Sequence, residues 1–364
     1  MWRYFWSETN GGIKFSKVGL GRVLDGIFGV IMISRTKPNY GILDLIGSFC
    51  LFESSSSKRN LLTNKLQDYF NNRKILLTPS GRGGLYVLLS CLKEQKVFIP
   101  AYTCKAVVEA VKLAGKSLEF VEIEDDGFNV DCEDLRGRLD SDSVLLITHQ
   151  FGFCAKVDQL MEMAFEAGAV VLEDAAASFG SKFQARLTGT FGQAGFFSFD
   201  STKRLNAPLK GGFLIFNDED LYNKAKSYIE ENLSEAPFLK KLYFFFLGLC
   251  LCIINYKILY PIFHWFKFKR KNHFTDESFP SSNELNHFYK YKLTEFQANI
   301  IIKQLDNIDL ILKRNKQIWD SYSLGLKNLH NIIRLRPLGL TKCPFAFPLG
   351  FRAISFCFIR NALG

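Results

Sequence analysis

The chain has 364 residues and a formal net charge of +10 at pH 7, and 48% of its residues are hydrophobic while 23% are charged. A chain of this length and apolar content can bury a sizeable core, which excludes a disordered protein. Its basic charge suits nucleic acid, an anionic membrane surface or phosphorylated small substrates. Zinc-finger spacing, an aromatic RNA-binding signature and a basic recognition helix are all missing from the sequence, so nucleic acid is the weakest of these partners.

Cysteine usage and the first residues indicate the compartment. The nine cysteines are scattered and odd in number, and none has the spacing of a metal site. This pattern favours a reduced cytosolic environment. Residues 1–6 are aromatic, and the apolar stretch 27–33 is too short for a signal peptide and lacks a small-residue cleavage site. We therefore expect a cytoplasmic protein without a metal.

The alternation of apolar runs predicts the architecture. Residues 1–60 are interpreted as an irregular N-terminal arm, because glycine and serine runs interrupt them. Over residues 61–235, strand-like runs alternate with amphipathic segments of helix length, which predicts an α/β domain with a mostly parallel sheet flanked by helices. The predicted strands are 97–99, 118–123, 144–148, 169–172, 195–198 and 212–216, and the predicted helices include 84–92, 105–113 and 157–167.

Residues 236–275 form an insertion that is both apolar and basic. The stretch 242–256 carries no charge, and the basic cluster 267–271 follows it. A spanning helix needs about 20 apolar residues, so the stretch alone is too short, although aromatic residues up to 266 extend it. A buried or interface helix is the favoured interpretation. Peripheral contact of residues 242–271 with the inner face of the membrane and a true span are the alternatives.

Residues 276–364 are expected to form a small C-terminal α+β domain. Apolar residues recur at helical spacing over residues 293–326, which predicts a long amphipathic helix broken near Asp306. Short strands are predicted around residues 345–347 and 354–359.

Two reactive side chains follow predicted strands. Asp174 comes after the apolar run 170–172, and Lys203 ends the segment 189–203, which joins a strand to a turn. Ligands of open α/β sheets lie at the carboxyl ends of the strands. A carboxylate there can keep a pyridine nitrogen protonated, and a lysine amine can condense with an aldehyde cofactor. Taken singly, Asp174 would be a helix cap and Lys203 a surface charge. Together they predict a site for pyridoxal 5'-phosphate (PLP).

Three further features fit a phosphate-bearing cofactor. Ser198, five residues before Lys203, can offer its hydroxyl to a phosphate. The segment 78–86 (TPSGRGGLY) predicts a tight turn leading into a helix, and the first N–H groups of a helix form an anion site. Gly211 and Gly212 open the next strand, where side chains would crowd the site. The glycine turn alone is a weak signal, and its place before the first large-domain helix strengthens it.

These segments resemble, in this order, the DegT/DnrJ/StrS family of PLP-dependent sugar aminotransferases, which have the aspartate-aminotransferase fold (fold type I). The family patterns are SGTAAL, P-x-x-T-aromatic, H-x-x-G, EDAAQ, GTFGD-x-x-x-FSF-x-x-TK, EGG and MSELQA. Their counterparts here are residues 80–85, 100–104, 149–152, 173–177, 189–203, 210–212 and 293–298. The resemblance covers about residues 76–326, and its lysine motif is the most specific part.

The resemblance implies roles for individual residues. Lys203 would form the Schiff base and shuttle the proton, and Asp174 would bind the pyridine nitrogen. Ser198, Gly81 and Arg82 would hold the phosphate, the last two mainly through backbone amides. For His149, which matches the H-x-x-G pattern, a hydrogen-bonded structural role is the simpler interpretation.

The sequence departs from the family pattern at several positions. Ala177 stands where Gln or His usually contacts the phenolic oxygen of the cofactor. Cys104 stands where an aromatic residue stacks on the ring, and Tyr102 lies two residues earlier. Lys210 replaces the Glu of EGG, and residues 290–292 (KYK) replace the N-x-R motif contributed by a neighbouring subunit. The small C-terminal domain is also short for the family, so we expect it to be truncated.

The resemblance implies transamination in polysaccharide or glycoconjugate biosynthesis. An amino acid, glutamate by analogy, would give its amino group to PLP, and the pyridoxamine form would pass it to a keto-sugar linked to a nucleotide. A homodimer is expected on the same ground. One alternative is a PLP-dependent sugar dehydratase of the same fold, but histidine replaces the lysine in that branch. The other is an inactive membrane-associated relative that acts as a binding component, which Ala177, Cys104 and the apolar insertion favour.

Overall fold

The computed structural model describes residues 4–9, 12–17, 38–49, 57–125, 127–255, 259–260 and 287–325. The chain divides into two compact units, residues 1–37 with 250–277 and residues 38–249 with 278–364. The strands, in chain order, are β1 (Tyr4–Thr9), β2 (Gly12–Lys17), β3 (Lys74–Thr78), β4 (Lys96–Pro100), β5 (Ser117–Val121), β6 (Ser143–Thr148), β7 (Val170–Asp174), β8 (Lys182–Phe183), β9 (Arg186–Leu187), β10 (Ala194–Ser198) and β11 (Gly212–Phe216). The helices are α1 (Ile42–Phe49), α2 (Ser57–Tyr69), α3 (Gly81–Cys91), α4 (Lys105–Leu113), α5 (Cys132–Leu135), α6 (Val157–Ala167), α7 (Glu219–Asn232), α8 (Phe238–Ile254), α9 (His287–Lys290), α10 (Glu295–Leu305) and α11 (Ile308–Gly325).

Seven strands of the second unit form one sheet in the order β3-β11-β10-β7-β6-β4-β5. β11 is antiparallel to both of its neighbours, and the other neighbouring pairs are parallel. Every residue of β6 and of β11 is buried, as expected for strands that helices cover on both faces. The predicted α/β architecture with a mostly parallel sheet is confirmed, and all six predicted strands are present.

Alternate residues of the strands enter cores on opposite faces of the sheet. On one face, Val97 of β4 packs in the same buried cluster as Leu85 of α3 and Val111 of α4. On the other, the next residue, Phe98, shares a cluster with Leu160 of α6. This is the period of two that a strand imposes on its side chains. The sheet is therefore the middle layer of the domain. Loops follow the carboxyl ends of its strands.

Helix α3 begins three residues earlier than the sequence predicts. Its N-cap is Ser80, whose Oγ accepts a hydrogen bond from the backbone N–H of Gly83 at 3.0 Å. Glycine has a low helix propensity, so the pattern of apolar residues places the start of the helix after the glycines. The serine cap and the surrounding packing outweigh that propensity, since Gly81, Gly83 and Gly84 are all buried.

The expectation of an irregular arm over residues 1–60 is wrong for its described parts. In the first unit, β1 and β2 form an antiparallel hairpin in which Thr9 pairs with Gly12. Only Asn10 and Gly11 lie between the two strands, and Asn-Gly is the pair most favoured for a two-residue hairpin connection. In the second unit, α1 and α2 are helical, and Leu62 and Leu66 of α2 are buried one helical turn apart.

The described part of the predicted C-terminal domain consists of helices. The predicted break near Asp306 is confirmed, because α10 ends at Leu305 and α11 begins at Ile308. α10 packs against α2, where Arg59 Nε lies 2.7 Å from Glu295 Oε1 and the same carboxylate accepts from the backbone N–H of Lys58. The strands predicted around residues 345–347 and 354–359 lie outside the described residues.

The uncharged part of the insertion lies in α8. Phe244 and Phe245 are buried, whereas Tyr243 and Phe246 are half exposed. A Cβ on Gly248 would lie 3.0 Å from Pro208 and 3.1 Å from Leu45, so α8 approaches both residues closely. Across the described part of the chain, no helix has the length and apolarity needed to cross a membrane.

An aromatic cluster fills the core between the sheet and α2. The rings of Phe197 and Phe213, on β10 and β11, stack with centroids 4.5 Å apart and an interplanar angle of 4°. Phe70 and Phe179 pack against this pair with centroids 5.3–6.3 Å away. Phe213 is fully buried, so its ring contributes both apolar burial and aromatic contacts.

We expect Phe213→Ala to lower the free energy of unfolding by about 3–5 kcal/mol, because it leaves a cavity in this cluster. Phe165→Ala on α6 is the control, since that ring is 88% exposed and its loss should change stability by about 0.5 kcal/mol or less. Denaturant unfolding followed by circular dichroism measures both. Equal stabilities of the two variants would contradict this description of the core.

Candidate active site

Asp174 is the last residue of β7 and lies at the carboxyl edge of the parallel strands. It pairs with Thr148 of β6 and with Phe196 of β10. Its Oδ1 accepts a hydrogen bond from the backbone N–H of Ala176 at 3.0 Å. Burial raises the pKa of Asp174, and the charge of Lys203 and the Ala176 amide oppose that rise without cancelling it. The carboxylate is thus incompletely compensated by the groups around it.

Lys203 stands in a turn that follows β10. Its backbone N–H donates to Asp200 O at 2.8 Å, and Asp200 Oδ1 accepts from the backbone N–H of Thr202 at 3.1 Å. The positive charge of Lys203 acts on Asp174, which is 29 positions earlier (203 − 174). The fold therefore places the predicted Schiff-base lysine within electrostatic range of the predicted pyridine partner.

The first turn of α3 faces β10 and β11. A Cβ on Gly81 would lie 2.9 Å from Ser198 Cβ, and a Cβ on Gly212 would lie 2.8 Å from Gly81 N and 2.6 Å from Phe197 O. Only glycine leaves room for these approaches, because the atoms it would meet belong largely to backbone. The first backbone hydrogen bond within the helix runs from Gly84 N to Ser80 O at 2.9 Å. The amides of Gly81 and Arg82 precede that bond and lie at the positive end of the helix.

The side chain of Arg82 contacts α4. Arg82 Nη1 lies 2.9 Å from Glu109 Oε2, and the Tyr289 hydroxyl donates to Glu109 Oε1 at 2.8 Å. Burial, followed by the hydrogen bond to Glu109, raises the pKa of Tyr289. The guanidinium is thus part of a mostly buried structural cluster. This placement agrees with the prediction that Arg82 would serve a phosphate mainly through its backbone.

Tyr102 and two of the positions that depart from the family pattern, Cys104 and Ala177, occupy different places near the carboxyl ends of the strands. The Tyr102 ring packs against Phe128 and Phe151, with centroids 5.0 and 6.1 Å away. Cys104 is exposed at the N-cap of α4, and its side chain makes no capping hydrogen bond. Ala177 is half buried in the turn after Asp174 and offers only a methyl group. Contacts of these residues with a cofactor stay predictions.

Glu173 forms a buried latch that sequence reasoning missed. It precedes Asp174 in the strand and so points to the opposite face of the sheet. Its Oε1 accepts from the backbone N–H groups of Phe191 and Gly192, and its Oε2 accepts from that of Gly189 at 2.8 Å. His149 Nε2 lies 2.9 Å from the same carboxylate, and both side chains are fully buried. Four donors therefore converge on one carboxylate and hold the loop before β10 in place.

His149 has the structural role that its simpler interpretation predicts. Its Nδ1 accepts a hydrogen bond from the backbone N–H of Ala155 at 3.3 Å, which assigns the ring proton to Nε2. That proton is donated to Glu173. The ring links the loop after β6 to the loop before β10. One sequence signal could have indicated this pair. Glu173 lies in a buried strand, and His149 directly follows the neighbouring buried strand, at a position that faces the same side of the sheet.

A second buried polar side chain holds the loop that leads into β11. Gln297 Nε2 donates to Pro208 O at 2.7 Å and to Lys210 O at 2.8 Å. Between these carbonyls, Leu209 has a φ of 68°, a left-handed conformation that costs energy for a branched residue. Lys210 Nζ in turn lies 3.5 Å from Asp200 Oδ2. Although burial opposes it, Lys210 and the Thr202 hydrogen bonds lower the pKa of Asp200.

We expect Glu173→Gln to destabilise the protein by about 2–4 kcal/mol, because the amide group turns a donor toward backbone donors inside the core. Glu231→Gln, at an exposed position of α7, is the matched control and should change stability by about 0.5 kcal/mol or less. Denaturant unfolding at neutral pH compares the two. A neutral effect of Glu173→Gln would show that the latch is not a source of stability.

We expect Asp174→Asn to make the cofactor-free protein more stable near pH 7. Because burial raises the pKa of Asp174 in the folded state, the unfolded chain loses this proton at a lower pH than the folded chain does. The contribution of the group to stability is therefore present at acidic pH and is lost as the pH rises through and above the ordinary carboxyl range, near pH 4. The difference in stability between Asp174→Asn and the wild type should therefore shrink as the pH falls from 7 toward about 4.

Unfolding of the wild type and Asp174→Asn at several pH values measures this difference. Asp158→Asn, at an exposed position of α6, should not reproduce it. A variant that is less stable than the wild type at pH 7 would mean that the folded protein stabilises the Asp174 charge after all.

The chain is similar to known proteins over most of its length. The model of the DegT/DnrJ/EryC1/StrS aminotransferase family matches residues 52–342. The chain is 23% identical over 287 residues to the GDP-perosamine synthase of Escherichia coli O157:H7, a match that covers 77% of this chain and 66% of that protein. The chain thus spans slightly less than two thirds of the length of that curated relative.

Two solved structures have the same fold. The aminotransferase PseC of Helicobacter pylori, involved in the biosynthesis of pseudoaminic acid, superposes with a TM-score of 0.65 at 16% identity, covering 86% of this chain and 75% of PseC. The PLP form of Spr1654 from Streptococcus pneumoniae superposes with a TM-score of 0.60 at 17% identity, covering 81% of this chain and 72% of that one. The arrangement of Lys203, Asp174 and the first turn of α3 thus stands on a fold type I scaffold, and the match over residues 52–342 shows that the chain belongs to the DegT/DnrJ/EryC1/StrS aminotransferase family.

Proposed function

We propose that this chain is a PLP-dependent aminotransferase that transfers an amino group from an amino acid, glutamate, to a keto-sugar carried by a nucleotide. One observation carries the proposal: the positive charge of Lys203 acts on the buried carboxylate of Asp174 at the carboxyl end of β7, although 29 positions separate the two residues. Membership in the family supports the reaction class. The name of the E. coli relative contains a nucleotide-linked sugar, which supports the substrate class.

The residues present fit PLP in three respects. Asp174 is a buried carboxylate whose charge is incompletely compensated, and a protonated pyridine nitrogen would supply the missing positive charge. The Thr148 hydroxyl, on the neighbouring strand residue, is buried and has no hydrogen-bond partner among the described residues. Gly81 and Ser198 meet at the first turn of α3, where a phosphate would find backbone amides and a hydroxyl.

Each of these residues would then have a defined task. Bound PLP supplies an electron sink that stabilises negative charge on the substrate carbon. The Lys203 amine would hold the cofactor covalently and, once displaced, would move a proton between substrate and cofactor carbons. Asp174 would keep the pyridine nitrogen protonated. Glu173 and the amide of Gln297 would hold the loops that lead into β10 and β11, the two strands on either side of the turn that contains Lys203.

The alternatives receive less support from the residues. A dehydratase of this fold would carry histidine in place of Lys203. An inactive relative would have no need for a desolvated carboxylate beside a lysine, which costs stability unless a cationic partner binds. We further propose a homodimer in the cytoplasm, which the family resemblance and the scattered cysteines support.

The first experiment tests the covalent site. We expect purified protein mixed with PLP to develop a visible absorbance band distinct from that of free PLP, and borohydride reduction to attach the cofactor to the peptide that contains Lys203. Lys203→Ala should lose both signals. Lys182→Ala, at an exposed position of β8, should keep both. Reduction that labels another lysine would refute the role of Lys203.

The second experiment tests the reaction. Glutamate and a set of nucleotide-linked keto-sugars are incubated with the PLP-loaded protein, and the products are followed by mass spectrometry. An aminated sugar formed together with 2-oxoglutarate supports the proposal. A sugar that loses a hydroxyl group without gaining nitrogen would support the dehydratase instead.

A further inference from the structure

Helix α8 is fixed to the second unit by one face. Phe244 and Phe245 are 3% and 8% exposed, and the Phe245 ring packs against Phe296 of α10 with centroids 6.2 Å apart. Gly248 lies against Pro208 and Leu45. These contacts set the rotation of the helix about its axis, so its other face points away from the core.

The outward face of α8 is apolar. Leu239, Tyr243 and Phe246 are 75%, 53% and 52% exposed, and they follow one another at intervals of four and three residues, which places them on one side of the helix. The neighbouring helix α1, which meets α8 at Leu45, exposes Leu43 and Ile46. Apolar side chains grouped in this way are costly in water and mark interaction surfaces.

The charges in the sequence segment that contains α8 distinguish between two partners for this face, a second copy of the chain and an anionic membrane. Residues 236–275 contain seven Lys and Arg residues and no Asp or Glu. Lys240 is exposed in the first turn of α8. A second copy of the chain docked about a twofold axis would place Lys240 of both copies in the same patch, because such an interface uses the same surface on each copy. An anionic lipid surface instead offers opposite charge to Lys240, and it also suits the basic composition of the segment.

We infer that α8 docks this protein on an anionic membrane surface, with Leu239, Tyr243 and Phe246 inserted among the lipid headgroups and the flanking lysines paired with lipid phosphates. Tyrosine suits this depth, because its ring is apolar and its hydroxyl is polar. The helix lies on the bilayer rather than across it, since Phe244 and Phe245 remain packed on the protein. This inference does not depend on the chemistry proposed for Lys203.

The test is flotation of the full-length protein with vesicles. We expect binding to vesicles that contain phosphatidylglycerol in phosphatidylcholine, and little binding to pure phosphatidylcholine. The double variant Tyr243→Ser/Phe246→Ser should weaken binding about tenfold or more. Lys240→Gln should weaken it about fivefold. Phe165→Ser removes an even more exposed ring from α6 and should bind like the wild type.

Circular dichroism and denaturant unfolding establish that each variant is folded. Absence of wild-type binding to anionic vesicles would overturn the inference. So would unchanged binding of the double variant, because the basic sequence alone would then account for the attraction. Light scattering tests the remaining alternative, in which this face binds a second copy of the chain. A wild-type dimer, a monomeric double variant and no vesicle binding by either protein would support that alternative and overturn the inference.

Discussion

The architecture of the site depends on two adjacent carboxylates at the end of β7. Glu173 and Asp174 point to opposite faces of the sheet, and the fold treats them in opposite ways. Three backbone amides and His149 surround Glu173, so its buried charge is well compensated. Burial raises the pKa of Asp174, although its carboxylate accepts a hydrogen bond from the backbone N–H of Ala176 and the charge of Lys203 acts on it. The first carboxylate stabilises the scaffold, and the second carries a charge that a cationic group would compensate.

Buried polar side chains also determine where the chemically active loops lie. Glu173 holds residues 189–192, Gln297 holds the carbonyls of Pro208 and Lys210, and Asp200 closes the turn that carries Lys203. Glu173 on β7 and Gln297 on α10 sit on elements that pack in the core, so they transfer the rigidity of the core to these loops. A catalytic amine must be held in a defined position to react efficiently, and the strained Leu209 is tolerated because these contacts over-determine the loop.

The sequence predicts the sheet well because apolar runs and their spacing are local signals. It also predicts that Lys203 and Asp174 follow strands of the same sheet, and the charge of Lys203 acts on Asp174 in the structure. It does not predict the start of α3 at Gly81 or the latch at Glu173. Both rest on hydrogen bonds between positions that no periodicity connects, such as Glu173 and the amide of Gly189. The hairpin of β1 and β2 is not predicted although the sequence pair Asn10-Gly11 signals it, because the glycines of this segment are interpreted only as breaks.

Helix α8 shows a different limit of sequence patterns. From Leu242 to Ile254 it contains no charged residue, so its composition indicates burial on every side and cannot identify a face. The packing of Phe244, Phe245 and Gly248 covers one side only. On the uncovered side of a helix, polar side chains would be accommodated at little cost to stability, whereas apolar side chains leave hydrophobic surface in water. Leu239, Tyr243 and Phe246 on the uncovered side of α8 are therefore the basis of the inferred contact with a membrane, and the excess of basic residues in the same segment favours an anionic surface.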